Sequence, residues 1–303
     1  MDRRSFLSLT GAAAGLAAAS PAGAADTPGP WKDGKKWVYS ITYDEGCEDL
    51  LKYAVPIHRE FGYPGHVALV SSQLGVKRNV PGSSYHDMMI LSPKQMKDLI
   101  AEGWGASCHS MTHVGVTHEN AAVEVTEARK VLADALGCEI PIFTVPGSNP
   151  GHPPAIAVAD EAGYKAILTI YDWVNTFDTD LLWLGRCPLH TAYPGPFYSL
   201  FDPYKRLHQA RATQGWVVDY CHCPMPGKPI HAAKDCTAEE LRARFEAVKE
   251  VGSDDVWIAE PNEVVEYLAT NEEATRRRTE KAVGLNQVYD TEMRKLYEAP
   301  VPS

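Results

Sequence analysis

Asp44, Glu45 and Glu48 fall within five residues of one another in the stretch SITYDEGCEDL, residues 40–50, at the end of a β-rich run. Neighbouring carboxylates repel, and each loses hydration when partly buried, so the cluster needs a positive partner. His109 and His113, in HSMTH, are four residues apart, a spacing at which one helical turn presents both imidazoles on the same side. Two neutral imidazoles and one carboxylate, with a position left open to water, are the donor set of a catalytic divalent-metal site. A cation held there would turn the repulsion between Asp44 and Glu45 into attraction. One carboxylate could bind the ion while its neighbour accepts a proton from the water on it.

These residues need elements that bring them together. Short β-rich runs alternate with helical patterns from residue 37 onward, and strands are expected at 37–43, 66–70, 104–108, 140–145, 165–170, 181–184, 216–221 and 256–259. Most are apolar on both faces, as in a buried parallel sheet. Ser92-Pro93-Lys94-Gln95 and Thr237-Ala238-Glu239-Glu240 are capping boxes that open helices. Residues 119–136 carry apolar side chains at helical spacing up to Gly137, and Pro153-Pro154 begins a helix that Gly163 ends. Seven or eight strand–helix alternations predict an α/β fold, a β/α barrel rather than an open sheet. In such barrels the strand C-termini share one rim, which carries the site. Four polar clusters follow strands and should meet there: Asp44-Glu45-Gly46, His109 to His113, Pro146-Gly147-Ser148-Asn149, and His222. No GxGxxG or P-loop motif follows a strand, which counts against nucleotide binding.

Thr42-Tyr43-Asp44-Glu45-Gly46 resembles the Thr-Phe-Asp-Asp-Gly motif of the polysaccharide deacetylases (the NodB-homology domain, carbohydrate esterase family 4), and His109-Ser110-Met111-Thr112-His113 matches that family's His-Ser/Thr-x-x-His motif. The late strand ending Asp219-Tyr220-Cys221-His222 and the closing helix–strand–helix extend the resemblance over about residues 36–270. It implies a distorted (β/α)7 barrel that removes acetyl groups by metal-assisted hydrolysis. By position, Asp44 would be the general base and His222 the general acid. Glu45, His109 and His113 would hold the metal, usually zinc in this family. The metal and the Gly147 backbone N–H, just after Pro146, would stabilise the oxyanion. Two departures stand out. Glu45 occupies the place of a second Asp, and Thr144 the place of an arginine that tethers the base; Arg186, at another strand end, is the candidate replacement. Asp172-Trp173 is similar to the family's fourth-motif Asp-Trp, with a loop acid beside a packing Trp as the alternative. His152 is a loop histidine and a reserve ligand. His118, His190 and His231 read as ordinary polar histidines.

The chain has 303 residues and a net charge of −10, which argues against nucleic acid or an anionic membrane as partner. Residues 1–25 combine Arg3-Arg4, a mildly apolar run and the small-residue site Ala22-Gly23-Ala24. They are expected to be a twin-arginine-type signal peptide, giving a periplasmic or secreted protein. Residues 30–270 would form the barrel and 271–303 a charged helical extension. Of the seven cysteines, the expected role is small buried side chains, with a Cys47–Cys108 bridge as the alternative; no CxxC pair suggests structural zinc. The expected function is removal of N- or O-linked acetyl groups from a carbohydrate, with a divalent metal, zinc first. The alternatives are an amidase or imidase on a small non-carbohydrate amide, and a catalytically silent carbohydrate-binding barrel. The sequence leaves the glycan and the oligomeric state open.

Overall fold

The computed structural model describes residues 27–193 and 199–298; the expected signal segment lies outside them. Eight strands form one sheet: β1 (Trp37–Glu45), β2 (His66–Leu69), β3 (Gly105–Cys108), β4 (Ile142–Thr144), β5 (Ala166–Leu168), β6 (Cys187–Pro188), β7 (Trp216–Cys221) and β8 (Val256–Ile258). Their order is β5-β4-β3-β2-β1-β7-β6, and every pairing is parallel. β8 pairs with the start of β1, through Trp37, Val38 and Tyr39.

The ends of this path meet. Leu184 forms a parallel bridge with Leu168 of β5, and three residues later Cys187 and Pro188 pair with Asp219 and Tyr220 of β7. The segment 184–188 therefore closes the circuit, and the architecture is a distorted (β/α)7 barrel. The closure differs from the expected strand at 181–184. Leu181–Trp183 is a single 3-10 turn capped by the Asp180 carboxylate, and the strand lies further on, at β6. Two residues of pairing leave too little periodicity for a sequence pattern to reveal.

The outer helices begin and end where local chemistry dictates. α1 (Leu50–Tyr53) and α2 (Val55–Phe61) follow β1. α3 (Pro93–Ala101) starts from a complete Ser92/Gln95 capping box, and Ser92 Oγ accepts from the Gln95 N–H at 3.3 Å. The expected helix over 119–136 is divided: a π-helical turn, Ala122–Glu127, precedes α4 (Ala128–Leu136). Its extra residue per turn re-aims Glu124 inward, with a consequence at the site. α5 (His152–Ala162), α6 (Leu207–Thr213), α7 (Ala238–Gly252), α8 (Pro261–Thr270) and α9 (Glu272–Glu298) complete the order. No helix among the described residues is long and apolar enough to cross a membrane.

The core spans the barrel interior and the helix–sheet layer, with Trp37, Tyr39, Tyr43, Phe143 and Phe245 fully buried. A desolvated ion pair lies within it. Asp219 of β7 accepts from Arg244 Nε at 2.7 Å and Nη2 at 2.9 Å, and from the Tyr39 hydroxyl at 2.7 Å. Fully desolvated charges of this kind depend on each other, because removing one strands the other. Arg244→Met should destabilise the fold by about 3–5 kcal/mol, while Arg244→Met combined with Asp219→Leu should recover much of the loss. Denaturant unfolding of both variants checks it, and equal destabilisation by the two would contradict the pairing.

Candidate metal and catalytic site

β1 runs two residues further than its apolar pattern, so Asp44 and Glu45 are its last residues. Glu45 has φ 73° and Gly46 φ 78°. A non-glycine residue in that left-handed region costs about 1–3 kcal/mol and persists only when its surroundings fix it. Here Leu91 N–H donates to the Gly46 carbonyl at 2.8 Å. A Cβ at position 46 would come within 2.5 Å of Leu69. The turn sends the two adjacent carboxylates to different partners.

Asp44 meets Arg186. Its Oδ1 accepts from Nη1 at 2.6 Å and its Oδ2 from Nη2 at 3.1 Å, a bidentate pair. Arg186 is fully buried and held on every side: Nε donates to the Thr169 carbonyl at 2.9 Å, Nη1 to Thr42 Oγ1 at 3.0 Å, and its plane lies over the Tyr220 ring at 4.6 Å. Burial alone would raise the Asp44 carboxyl, but the Arg186 charge, followed by His109, holds it far below the usual carboxylate range. Arg186 comes from the segment that closes the barrel, and Thr144 instead hydrogen-bonds Ser107 at 2.8 Å.

Glu45 meets the histidines. HSMTH is a loop rather than the expected helical turn, with Ser110 at φ 70° and His113 at φ 67°. His113 N–H donates to Ser110 Oγ at 2.9 Å, and the Thr112 N–H and hydroxyl donate to the two oxygens of Glu124 at 3.0 and 2.7 Å. The π turn supplies that buried glutamate. The loop brings the His109 and His113 rings to 5.0 Å between centroids, and His113 Nε2 lies 3.0 Å from Glu45 Oε1. One ligand atom from each of Glu45, His109 and His113 lies within 4.8 Å of the others. His109 Nδ1 donates to the Thr144 carbonyl at 2.9 Å, which directs its Nε2 lone pair inward. This donor set fits a divalent cation. Burial lowers His109 to about 4, favouring the neutral ligand form, and Glu45 is held at about 2 against burial by His113, His109 and Arg78.

His222 follows β7. Its Nδ1 lies 3.0 Å from the Lys234 carbonyl and 3.6 Å from Asp235 Oδ1, and its ring stacks on Tyr85 at 4.7 Å. Asp235 is fixed by the backbone N–H groups of His222 and Cys223, both at 2.9 Å, and by the Tyr85 hydroxyl at 2.9 Å. Burial pushes His222 down, but Asp235 outweighs it and raises the imidazole above its ordinary value, which favours its proton-donating form.

Asp44, Glu45, His109, His113, Gly147 and His222 line one cavity of about 490 Å³. The structure thus brings together residues from β1 and the loops after β3, β4 and β7. Gly147 sits at φ 70°, and Pro146 precedes it in the same turn. Asp172, Trp173 and His152 lie elsewhere. Asp172 pairs with Lys205 at 3.1 Å and Arg206 at 3.3 Å; Trp173 stacks on Tyr171 at 4.8 Å; His152 Nε2 donates to the Leu182 carbonyl at 2.6 Å. All seven cysteines are free, Cys47 and Cys108 among them.

The cavity also holds residues that spacing did not reveal: Arg78, Tyr85, Tyr220 and Lys234, with His190 and His231. Arg78 is buried, ion-pairs with Glu45 Oε2, and donates to Gln73 Oε1 at 3.1 Å. It lies in a loop with no pattern around it, as does Asp235 in its own.

Residues 32–167 match the family model described as polysaccharide deacetylase. A Bacillus subtilis (strain 168) protein classed with the polysaccharide deacetylases, YxkH, is 21% identical over 167 residues, 54% of each chain. The chain thus spans about half the length of that curated relative. Solved structures with similarity include a polysaccharide deacetylase-type protein from Mycobacterium smegmatis (16% identity, 80% of this chain and 93% of that one, TM-score 0.47). The polysaccharide deacetylase Bc1974 from Bacillus cereus gives 16% identity, 74% and 91% coverage, and a TM-score of 0.45. At those scores the fold rests on the strands described above.

Replacing Arg186 with Gln leaves burial as the main influence on Asp44, so its pKa should rise. The acid limb of kcat/KM, absent above the ordinary carboxylate range while the guanidinium is in place, should then move to higher pH. A pH–rate profile with an unmoved acid limb would show that Arg186 does not govern the base.

Proposed function

We propose that this chain is an exported, metal-dependent hydrolase that removes N- or O-linked acetyl groups from a carbohydrate. The observation that carries the reading is the convergence of Glu45, His109 and His113 beside an aspartate held separately by Arg186. The family match over residues 32–167 supports a carbohydrate acetyl substrate, and the twin-arginine-type leader supports export.

Glu45, His109 and His113 would hold the ion. A divalent ion bound there, zinc in the first instance, supplies a Lewis acid that polarises the acetyl carbonyl and lowers the pKa of water. Asp44, fixed by two hydrogen bonds, accepts the proton of the attacking water. Arg186 keeps that carboxylate ionised and in one orientation, and contributes no proton. His222, whose protonated form Asp235 favours, donates to the departing nitrogen or oxygen. Gly147 lines the cavity, and its backbone N–H would stabilise the oxyanion. Tyr85 stacks on His222 and hydrogen-bonds Asp235, so it orients the acid.

Asp44→Asn should reduce kcat by about 10²–10⁴-fold, the usual contribution of general base catalysis, with metal content unchanged. His113→Ala should lower the bound metal itself. Acetate release from chitooligosaccharide and acetylated xylan, with metal analysis of each variant, checks both. Chelation should stop acetate release and metal restore it. Turnover of small cyclic imides alone would replace this reading with the amidase one, and glycan binding without acetate at any metal concentration would replace it with the silent barrel.

A further inference from the structure

His190 lines the cavity and has no part in the chemistry assigned above. It is 2% exposed, and neither of its ring nitrogens has a hydrogen-bond partner among the described residues. Other buried histidines differ, because each engages at least one ring nitrogen. His58 meets the Tyr43 hydroxyl at 2.7 Å, His66 the Glu260 carboxylate at 3.0 Å, His109 the Thr144 carbonyl at 2.9 Å and His152 the Leu182 carbonyl at 2.6 Å. A buried polar group without a partner costs stability, and in a cavity wall an entering ligand can complete it.

The fold holds this imidazole through its neighbours rather than through its nitrogens. Leu189 N–H donates to the Tyr220 carbonyl and Thr191 N–H to the Asp235 carbonyl, each at 2.9 Å. The backbone of His190 is therefore fixed between β7 and the loop behind His222. Its ring meets the Tyr220 ring edge-on, with centroids 5.3 Å apart, and the Arg186 guanidinium lies over that same Tyr220 ring. His190 thus shares its supports with both proton-transfer groups: Tyr220 with the arginine that holds Asp44, and Asp235 with His222.

Burial pushes the His190 imidazole down to about 3, so it is neutral, with one N–H donor and one lone pair. That combination suits a hydroxyl group, which both donates and accepts. A carboxylate would meet only the N–H, and an ammonium only the lone pair. Rotation about Cβ–Cγ is broad for histidine, so a turn of the ring offers a nitrogen to a group in the cavity.

We propose that His190 is a substrate-binding residue that hydrogen-bonds a hydroxyl of the acetylated sugar, and so selects carbohydrate over simple acetyl compounds. The inference rests on the deacetylase reading above and adds a specificity residue to it. A site built to hydrogen-bond a substrate hydroxyl discriminates against compounds that lack one.

The test compares two kinds of acetyl substrate in each variant of the metal-loaded full chain. One is the acetylated sugar, chitooligosaccharide or acetylated xylan; the other is p-nitrophenyl acetate, which has no hydroxyl. His190→Leu, close to histidine in volume, should lower the ratio of sugar to nitrophenyl ester in kcat/KM by about tenfold or more. Its unfolding midpoint should hold or rise, since no hydrogen bond within the protein is lost. His190→Gln restores a donor and an acceptor, and should recover part of the ratio. A ratio that His190→Leu leaves unmoved, or one that both variants lower equally, overturns the inference while the deacetylase reading stands. A clear drop in the unfolding midpoint of His190→Leu marks the imidazole as structural and overturns it as well. If neither sugar releases acetate from the unaltered chain, the deacetylase reading fails for those sugars. Calorimetric binding of the same sugars then decides: weaker binding by His190→Leu supports the contact, and equal or absent binding sinks it.

Discussion

Two carboxylates on consecutive residues at the end of a buried strand must each find a cation, and the rest of the site follows from that constraint. Backbone geometry separates them first: Glu45 takes a left-handed conformation, so its side chain leaves in a different direction from that of Asp44. Asp44 is then neutralised by a buried guanidinium in two hydrogen bonds, while Glu45 joins His113, His109 and Arg78. Charges desolvated to this degree are tolerable only when paired with good geometry. The division also separates chemical roles, because a carboxylate locked to arginine stays available for a proton and the other stays available for an ion.

Each partner is positioned by a different loop, and each loop is braced by a buried polar contact. The Thr112 clamp on Glu124 shapes the histidine loop. The Asp235 carboxylate gathers two backbone N–H groups and a tyrosine hydroxyl to set the late histidine. These contacts are short-range and directional, so they specify one geometry for each loop.

Much of the frame was legible from sequence because it repeats. Capping residues at Ser92 and Thr237, stop glycines at Gly137 and Gly163, and apolar runs before polar clusters all act locally, so they read correctly without tertiary context. The convergence of Asp44, Glu45, His109, His113, Gly147 and His222 on one cavity followed from the strand-end rule. What escaped reading is tertiary. The histidine loop is not helical, because its form comes from Glu124 on a distant π turn rather than from its own spacing. Arg78 and Asp235 sit in loops whose local sequence has no period. Arg186 was legible as a substitute for the missing arginine, though the residue pairing that delivers it was assigned to 181–184 and lies instead around 184–188.

Arg186 stands between Leu184, which bridges to β5, and Cys187, which pairs with β7. The guanidinium on which Asp44 depends is therefore carried by the thinnest stretch of the sheet. Any fluctuation that unzips this seam withdraws the arginine at the same moment, leaving a buried carboxylate without its counterion. Structural integrity and chemical competence are tied together at one place, so a partly opened molecule would be silent before it is unfolded.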